Sequence, residues 1–406
     1  MTSRKFPIRI DKRTFLAQEQ EGKEWLYALS VAHLRDITSC LCNSHNPVRL
    51  VVRMYGRDTP NAHYGLAKLS GTGLDHDSAC HYFGEDSELS KYAISLPAFD
   101  ELEDGAIRAH LAMPLKLNES EVRSKEASNQ KKTNAKSRAR VSDITLLQKL
   151  WRTAGLNVFR GTPRSWFAAS YSIINTAKKI IVSKRGDTLA DYLLVGSNHA
   201  DRLATKHNNE VLDRAAKEPT RLFVIGRARS FNRDKTQILL PLQESQSLPK
   251  ILVQLKQLDE FLAGRNFYKN LINNKTGNVI FFAYLEPKNK DWWHTLALNG
   301  IATTTNMLPV ESSYEVEFEQ YLVAQGRKFI KPMVVDESGE GDKRPDFILL
   351  DTKPKARCEV WGMQTEAYLA DKAKRIAEYA TKGQMLISWS ANPRETFPIL
   401  PSPFKS

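Results

Sequence analysis

The sequence predicts a mixed α/β, multidomain protein: a small N-terminal α+β module, a basic α/β middle region and a C-terminal αβββαβ core. Three observations carry this. The 406 residues are 41% hydrophobic and 26% charged, a globular balance with enough chain for two or three cores, which excludes collagen-like, coiled-coil and disordered classes. Residues 118–141 interrupt the chain with Ser, Asn, Lys, Arg and almost no large apolar side chain. From residue 306 onward, helical and strand patterns follow one another in a regular order.

Residues 1–117 form the first module. The N-terminus never sustains an apolar stretch of signal-peptide type, and the longest apolar runs, such as Val279–Leu285, are strand-sized and too short for a bilayer. Four cysteines in a chain of this length are too few for a disulfide framework. The expectation is a cytoplasmic protein with reduced thiols and no membrane partner. Cys40-Leu41-Cys42 is followed, beyond a loop or hairpin, by His76-x-x-x-Cys80. This is a candidate Cys₃His site for a structural Zn²⁺, with His81 the substitute ligand; the one-residue gap is tighter than the usual zinc spacing. The other reading makes these residues small core members. Cys358 stands alone and reads as a core thiol.

Residues 118–141 read as a flexible basic linker, either simply solvated or touching phosphates through Lys131, Lys132, Lys136, Arg138 and Arg140. VSDITLLQKLWRTAGLN follows as an amphipathic helix, capped by Ser142 or Asp143 and ended at Gly155, with Leu146, Leu147, Leu150 and Trp151 inward. RLFVIGRA and NVIFFAYLEP are buried strands. Trp292-Trp293-His294 suits core filling. No Gly-rich phosphate loop of the Walker kind is present, which argues against ATP hydrolysis.

The chain carries a formal net charge of +13, and its position matters more than its total. Residues 1–140 contribute +3, residues 141–305 contribute +11 and residues 306–406 contribute −1. The middle region is therefore the expected nucleic-acid grip. Arg227, Arg229, Arg233 and Lys235, with Phe231 among them, are the candidate contacts to phosphate and base. The alternative is a solvated surface with Phe231 in the core.

In the C-terminal region SSYEVEFEQYLVAQG is helical, with Tyr314, Phe318, Tyr321 and Leu322 on one face. FIKPMVV, RPDFILLD and CEVWGM are strands. A helix from about Glu366 to Lys382 and the strand QMLISWS close the unit. Asp346 and Glu359 begin two neighbouring strands. If these pair antiparallel, the two carboxylates meet at one edge and offer hard oxygen ligands to Mg²⁺ or Mn²⁺, whose chemistry is hydrolysis of phosphate esters.

The element order, with Pro345-Asp346 and Glu359, resembles the PD-(D/E)XK, or restriction-endonuclease-like, nuclease superfamily over roughly the last 95 residues. The resemblance implies that Asp346 and Glu359 are metal ligands and that Glu315 on the first helix is a further acidic residue of the site. Ser312-x-x-Glu315 is also a capping box, which explains Glu315 by helix-end hydrogen bonds alone. The longer pattern is also similar to an uncharacterised bacterial family often carried on mobile elements. One departure stands out: the family's Glu-x-Lys is here Glu359-Val360-Trp361. Some branches place the lysine on the following helix. There Tyr368, Lys372, Arg375 and Tyr379 form one stripe, extended by Gln364, while Lys374 points away. Lys372 is the expected replacement, Arg375 the second choice, and Gln364-x-x-x-Tyr368 is similar to a motif of RecB-like exonucleases.

These readings predict a metal-dependent DNA nuclease, with RNA as the other substrate class and its protein partners unspecified. In it the middle region grips and residues 306–406 form a near-neutral domain that cuts. The alternative is a nuclease-fold protein without catalysis, acting in nucleic-acid binding or assembly.

Overall fold

The computed structural model describes residues 5–33, 35, 37–43, 46–55, 63–69, 72–73, 75–77, 79–83, 98–102, 106–117, 140–230, 237–289, 291–333 and 344–404. Most of the expected linker, Phe231, Arg233 and Lys235 lie outside them. The protein is mixed α/β, with eight helices among the described residues, and divides into two compact units, residues 1–93 and 94–406.

The first unit is an antiparallel sheet of five strands in the order Arg13–Phe15, Ile8–Ile10, Thr38–Cys40, Val48–Tyr55, His63–Lys68. Alternation along Ile8–Ile10 sends Ile8 and Ile10 inward and Arg9 outward. Trp25, Leu29 and Ala32 of the helix Lys23–Ala32, spaced at helical intervals, close over Phe15, Leu50 and Cys40.

In the second unit a six-stranded mixed sheet is built around the long hairpin Gly277–Pro287 and Trp292–Thr304. Leu222–Arg227 pairs antiparallel to the hairpin on one side, Lys250–Gln254 parallel on the other. The run NVIFFAYL is buried throughout because helices cover its sheet. Helix Asp143–Thr153 lies where the periodicity set it. Ser142 Oγ accepts from Thr145 N–H, Leu146, Leu147, Leu150 and Trp151 are buried, and Gly155 takes a left-handed φ of 67° that ends the helix. Trp293 is in the core, whereas Trp292 lies under the Lys250 ammonium.

The C-terminal region follows the expected order: helix Ser313–Ala324, strands Phe329–Ile330, Phe347–Leu349 and Arg357–Trp361, helix Glu366–Thr381, strand Leu386–Ser390. The first three strands form an antiparallel meander, and the fourth returns parallel to the third, as a helical crossover requires. The first strand is shorter than expected because Pro332 has no N–H to continue the ladder. Phe318, Phe329, Phe347 and Trp389 form the core between helix and sheet.

Two boundaries differ from those read in the sequence. Strands Phe99–Glu101 and Ile107–Ala109 belong to the second unit, where Ile107 pairs with Ile180. The C-terminal sheet takes its fifth, edge strand, Val158–Phe159, from the middle region: Phe159 pairs with Phe329 and their rings stack at 5.3 Å. The C-terminal core is thus continuous with the region before it.

Candidate functional site

Two groups of side chains have the density of charge or soft ligands that chemistry needs, one in each unit.

In the first unit, Cys40 ends the strand Thr38–Cys40 and Cys42 stands two residues on. The segment carrying His76 and Cys80 is folded by Asp77, which takes Ala79 N–H on its carboxylate and Cys80 N–H on its carbonyl, both at 2.8 Å. This brings Cys40 Sγ to 3.6 Å from Cys80 Sγ, and His76 Nδ1 to 3.4 Å from Cys42 Sγ and 3.6 Å from Cys80 Sγ. All four ligand atoms lie within 4.8 Å of one another. A tetrahedral Zn²⁺ with Zn–S of about 2.3 Å and Zn–N of about 2.0 Å has ligand–ligand edges of roughly 3.5–3.8 Å, so the donor set fits such an ion. Hydrogen bonds from Cys40, then Cys80, with His76 and Asp77 N–H adding, drive the Cys42 thiol far down. Its neighbours move the opposite way: Cys40 is pushed up to about 12, first by Cys42, and Cys80 is also raised, first by Cys40. The cluster therefore forms one thiolate readily, and a bound cation would displace the remaining protons. His76, not His81, is the imidazole of the group; His81 stacks edge-on against Tyr82.

In the second unit, the register Phe347↔Cys358 and Ile348↔Arg357, carried one residue further, sets Asp346 opposite Glu359. Asp346 itself is the bend residue just before the strand Phe347–Leu349, near enough to Glu359 for its charge to act on that carboxyl. Asp346 Oδ2 accepts Val360 N–H at 2.7 Å, which ties the aspartate to the neighbouring strand. Glu359 is 2% exposed. Its Oε1 accepts from Tyr379 Oη at 2.6 Å and faces Arg375 Nε at 2.9 Å, an ion pair without hydrogen-bond alignment. Burial, opposed by the Tyr379 hydrogen bond and aided by the Asp346 charge, raises the Glu359 carboxyl to about 7.

Glu315 meets Asp346 through a residue that the sequence reading overlooked. Lys331, directly after the strand Phe329–Ile330, places Nζ 2.9 Å from Glu315 Oε2 and 3.5 Å from Asp346 Oδ1. Burial raises the Glu315 carboxyl to about 7 against the pull of Lys331. Burial also disfavours the Lys331 ammonium, but Glu315 and Asp346 more than offset it, and Lys331 is held protonated. Of the expected capping box only the Ser312 half is formed. Ser312 Oγ accepts Glu315 N–H, while the Glu315 carboxylate takes Glu311 N–H and turns inward to Lys331. The signal for Lys331 was a lone cation inside the apolar run FIKPM, where burial demands a partner.

The stripe on helix Glu366–Thr381 faces the sheet, and Lys374 is exposed. The residue that reaches Glu359 is Arg375, not Lys372. Lys372 Nζ donates to Ser390 Oγ at 2.9 Å and lies 5.3 Å from the centre of the Trp361 ring, two residues along the strand from Glu359. Tyr368 Oη accepts Gly362 N–H and its ring stands edge-on to Trp361; Gln364 donates to the Asn392 carbonyl. Beyond Arg375 opens a cavity of about 190 Å³ lined by Pro345, Arg357, Arg375, Glu378, Tyr379, Lys382 and Gln384.

Of the expected basic string, Arg227 is committed to the fold, while Arg233 and Lys235 lie outside the described residues. Arg227 is paired with Glu244 and Asn278, and Arg221 with Glu286. Arg229 is exposed, as are Lys178, Lys179, Lys184 and Arg185 beside the short strand Ile180–Ile181. Cys358 is a fully buried core thiol, raised by burial. No helix among the described residues is long and apolar enough to cross a membrane.

The family model described as "Protein of unknown function (DUF1173)" matches residues 8–391, and the chain belongs to that family. Comparison with curated proteins and with solved structures gives no match.

Proposed function

We propose that this chain is a divalent-metal-dependent nuclease acting on DNA, with Asp346 and Glu359 holding Mg²⁺ or Mn²⁺ and the Cys₃His cluster holding a structural Zn²⁺. The observation that carries the reading is the register Phe347↔Cys358, which brings Asp346 beside the strand of Glu359, with Asp346 Oδ2 accepting Val360 N–H. The two carboxylates share the charge of Lys331 and Arg375 in the folded chain, and carboxylates are the donor type such ions select. A divalent ion there supplies Lewis-acid polarisation of the phosphate and acidified water. The chain's own groups do the rest. Arg375 and Tyr379 orient Glu359, Val360 N–H orients Asp346, and Arg357 and Lys382 offer charge to a neighbouring phosphate. The exposed Lys178, Lys179, Lys184 and Arg185 supply salt-sensitive grip in the region that carries +11.

The test is cleavage of linear, single-stranded and branched DNA, and of RNA, by the full chain with Mg²⁺ or Mn²⁺. Asp346→Asn and Glu359→Gln are each expected to lower the rate by at least about 10²-fold; undiminished cleavage by the double variant sinks the proposal, and cleavage of RNA alone changes the substrate. A second reading, binding without catalysis, draws on Trp361 standing where the resemblance implies lysine, with Lys372 engaged at its ring and at Ser390. It predicts salt-sensitive DNA binding, no cleavage with any divalent ion and indifference to Asp346→Asn.

A further inference from the structure

Helix Trp166–Ala177 has an inner face tied into the core and an outer face that is open. Ser165 Oγ accepts Ala168 N–H and starts the helix. Trp166, Ala169, Ile173, Ile174 and Ala177 are buried, and Trp166 Nε1 donates to the Gly196 carbonyl at 2.7 Å. The outer face carries Phe167, 55% exposed, and Tyr171, 49% exposed. At i and i+4 the two rings stand on one side of the helix, about 6 Å apart along its axis. The same stripe continues at i+11 to exposed Lys178 at the helix end. Among the described residues neither ring touches another ring or a cation. Single exposed apolar side chains are ordinary on a protein surface, but two flat rings one turn apart, on a helix with no charged residue of its own, make a contact face.

Charge selects what that face meets. From Arg160 to Arg185 the chain has six basic side chains and no acidic one. Lys178, Lys179, Lys184 and Arg185 are exposed beyond one end of the helix. Before its other end, Arg164 donates to the Gly155, Leu156 and Val158 carbonyls, and the charge it feels is that of Arg160, not of a carboxylate. Arg202, also exposed, opens the next helix beside the same turn, where Asp201 Oδ2 lies 3.4 Å from Ser170 Oγ. Cations at both ends of an open aromatic pair suit a strand whose phosphates pass the cations while its bases stack on the rings. A duplex does not suit them. Its bases already stack on one another at 3.4 Å per nucleotide of each strand, and the rings stand almost twice as far apart.

We propose that this face is a stacking platform for single-stranded DNA, with unpaired bases on Phe167 and Tyr171 and the neighbouring phosphates on Lys178 and Lys179. This rests on the reading of the basic region as a DNA grip, and names the form of DNA that it takes. The rings supply affinity that salt does not screen, and the lysines supply affinity that it does.

The experiment follows the fluorescence anisotropy of a labelled oligothymidylate, and of a duplex of the same length, on titration with the full chain and no added Mg²⁺ or Mn²⁺, so that neither probe is cut. Wild type is expected to prefer the oligothymidylate. Phe167→Ala/Tyr171→Ala is expected to weaken that binding by about 5–150-fold per ring. Its duplex affinity and melting profile should stay those of wild type, since both rings are exposed. Phe167→Trp/Tyr171→Trp should retain the binding. Lys178→Ala/Lys179→Ala should weaken both probes and flatten the salt dependence. Unchanged oligothymidylate binding by the double alanine variant overturns the platform and leaves the DNA reading intact; an equal loss on both probes, or a wild type that prefers the duplex, does the same. A wild type that sediments as a dimer, with the alanine variant a monomer, gives the face to a second copy of the chain and overturns it too. Binding of neither probe by wild type removes the DNA reading itself, and this inference with it.

Discussion

At the scale of single residues, both centres alter proton affinity, the thiols through hydrogen bonds among themselves and the carboxyls through burial. Cys42 is the thiol most readily ionised because three neighbours and a backbone N–H converge on its sulfur. Metal analysis of purified protein is expected to give about one zinc per chain, and Cys40→Ser/Cys42→Ser none, with a lower melting temperature for the first unit; a metal-free wild type that melts at the same temperature would remove the zinc assignment. Glu359 and Glu315 are raised from 4.5 to about 7 by burial. The folded chain therefore holds protons between those values that the unfolded chain releases. Stability contributed by these groups is fullest below 4.5, falls as pH rises to about 7 and is level above. Divalent-ion binding, which takes the carboxylate form, runs the other way and strengthens through about 7. Chemical denaturation should show Glu359→Gln losing part of the wild-type decline in stability between pH 5 and pH 8. An unchanged slope would mean that Glu359 ionises freely.

At the scale of elements, helix Ser313–Ala324 reaches the sheet end through Tyr314, whose ring lies over Gly362 just past strand Arg357–Trp361. A Cβ at Gly362 would stand 2.6 Å from Tyr314 Cδ2 and 2.8 Å from Cε2. Gly362→Ala should therefore destabilise the second unit by about 1–3 kcal/mol, and the displacement acts one residue from Glu315; a denaturation midpoint equal to wild type would show that the ring moves aside freely. Elements of this kind were legible because their signals are local: Ser142 and Gly155 bracket one helix, and the Tyr368–Tyr379 stripe is visible in spacing alone. Pairing was not legible. Nothing near Val158 or Phe159 indicates a partner at Phe329, some 170 positions away, because a two-residue strand has no periodicity and its register is set by tertiary packing. For the same reason Arg227 read as a free cation until the sheet brought Glu244 to it, and Lys372 and Arg375 shared a stripe that could not say which of them meets Glu359.

At the scale of the whole molecule, the charge count divides the chain into a gripping middle and a near-neutral cutting domain, but the packing joins them. Residues 306–406 without the preceding region lose the edge strand Val158–Phe159, the Phe159–Phe329 stack, both Asn157–Lys331 hydrogen bonds and the Trp151 Nε1 bond to the Met307 carbonyl. What remains is an open edge at Phe329–Ile330, whose unpaired N–H and C=O groups invite association, beside apolar side chains that the middle region covered. Lys331 loses its backbone anchors in the same cut, so the carboxylate centre loosens together with the sheet. A fragment of residues 306–406 is therefore expected to aggregate or unfold without cooperativity, whereas residues 94–406, which keep every strand of the sheet, should unfold in one cooperative step and, on the proposed function, bind DNA in a salt-dependent way. A monomeric 306–406 fragment with the melting temperature of 94–406 would show that the edge strand is dispensable and restore the division that charge alone suggested.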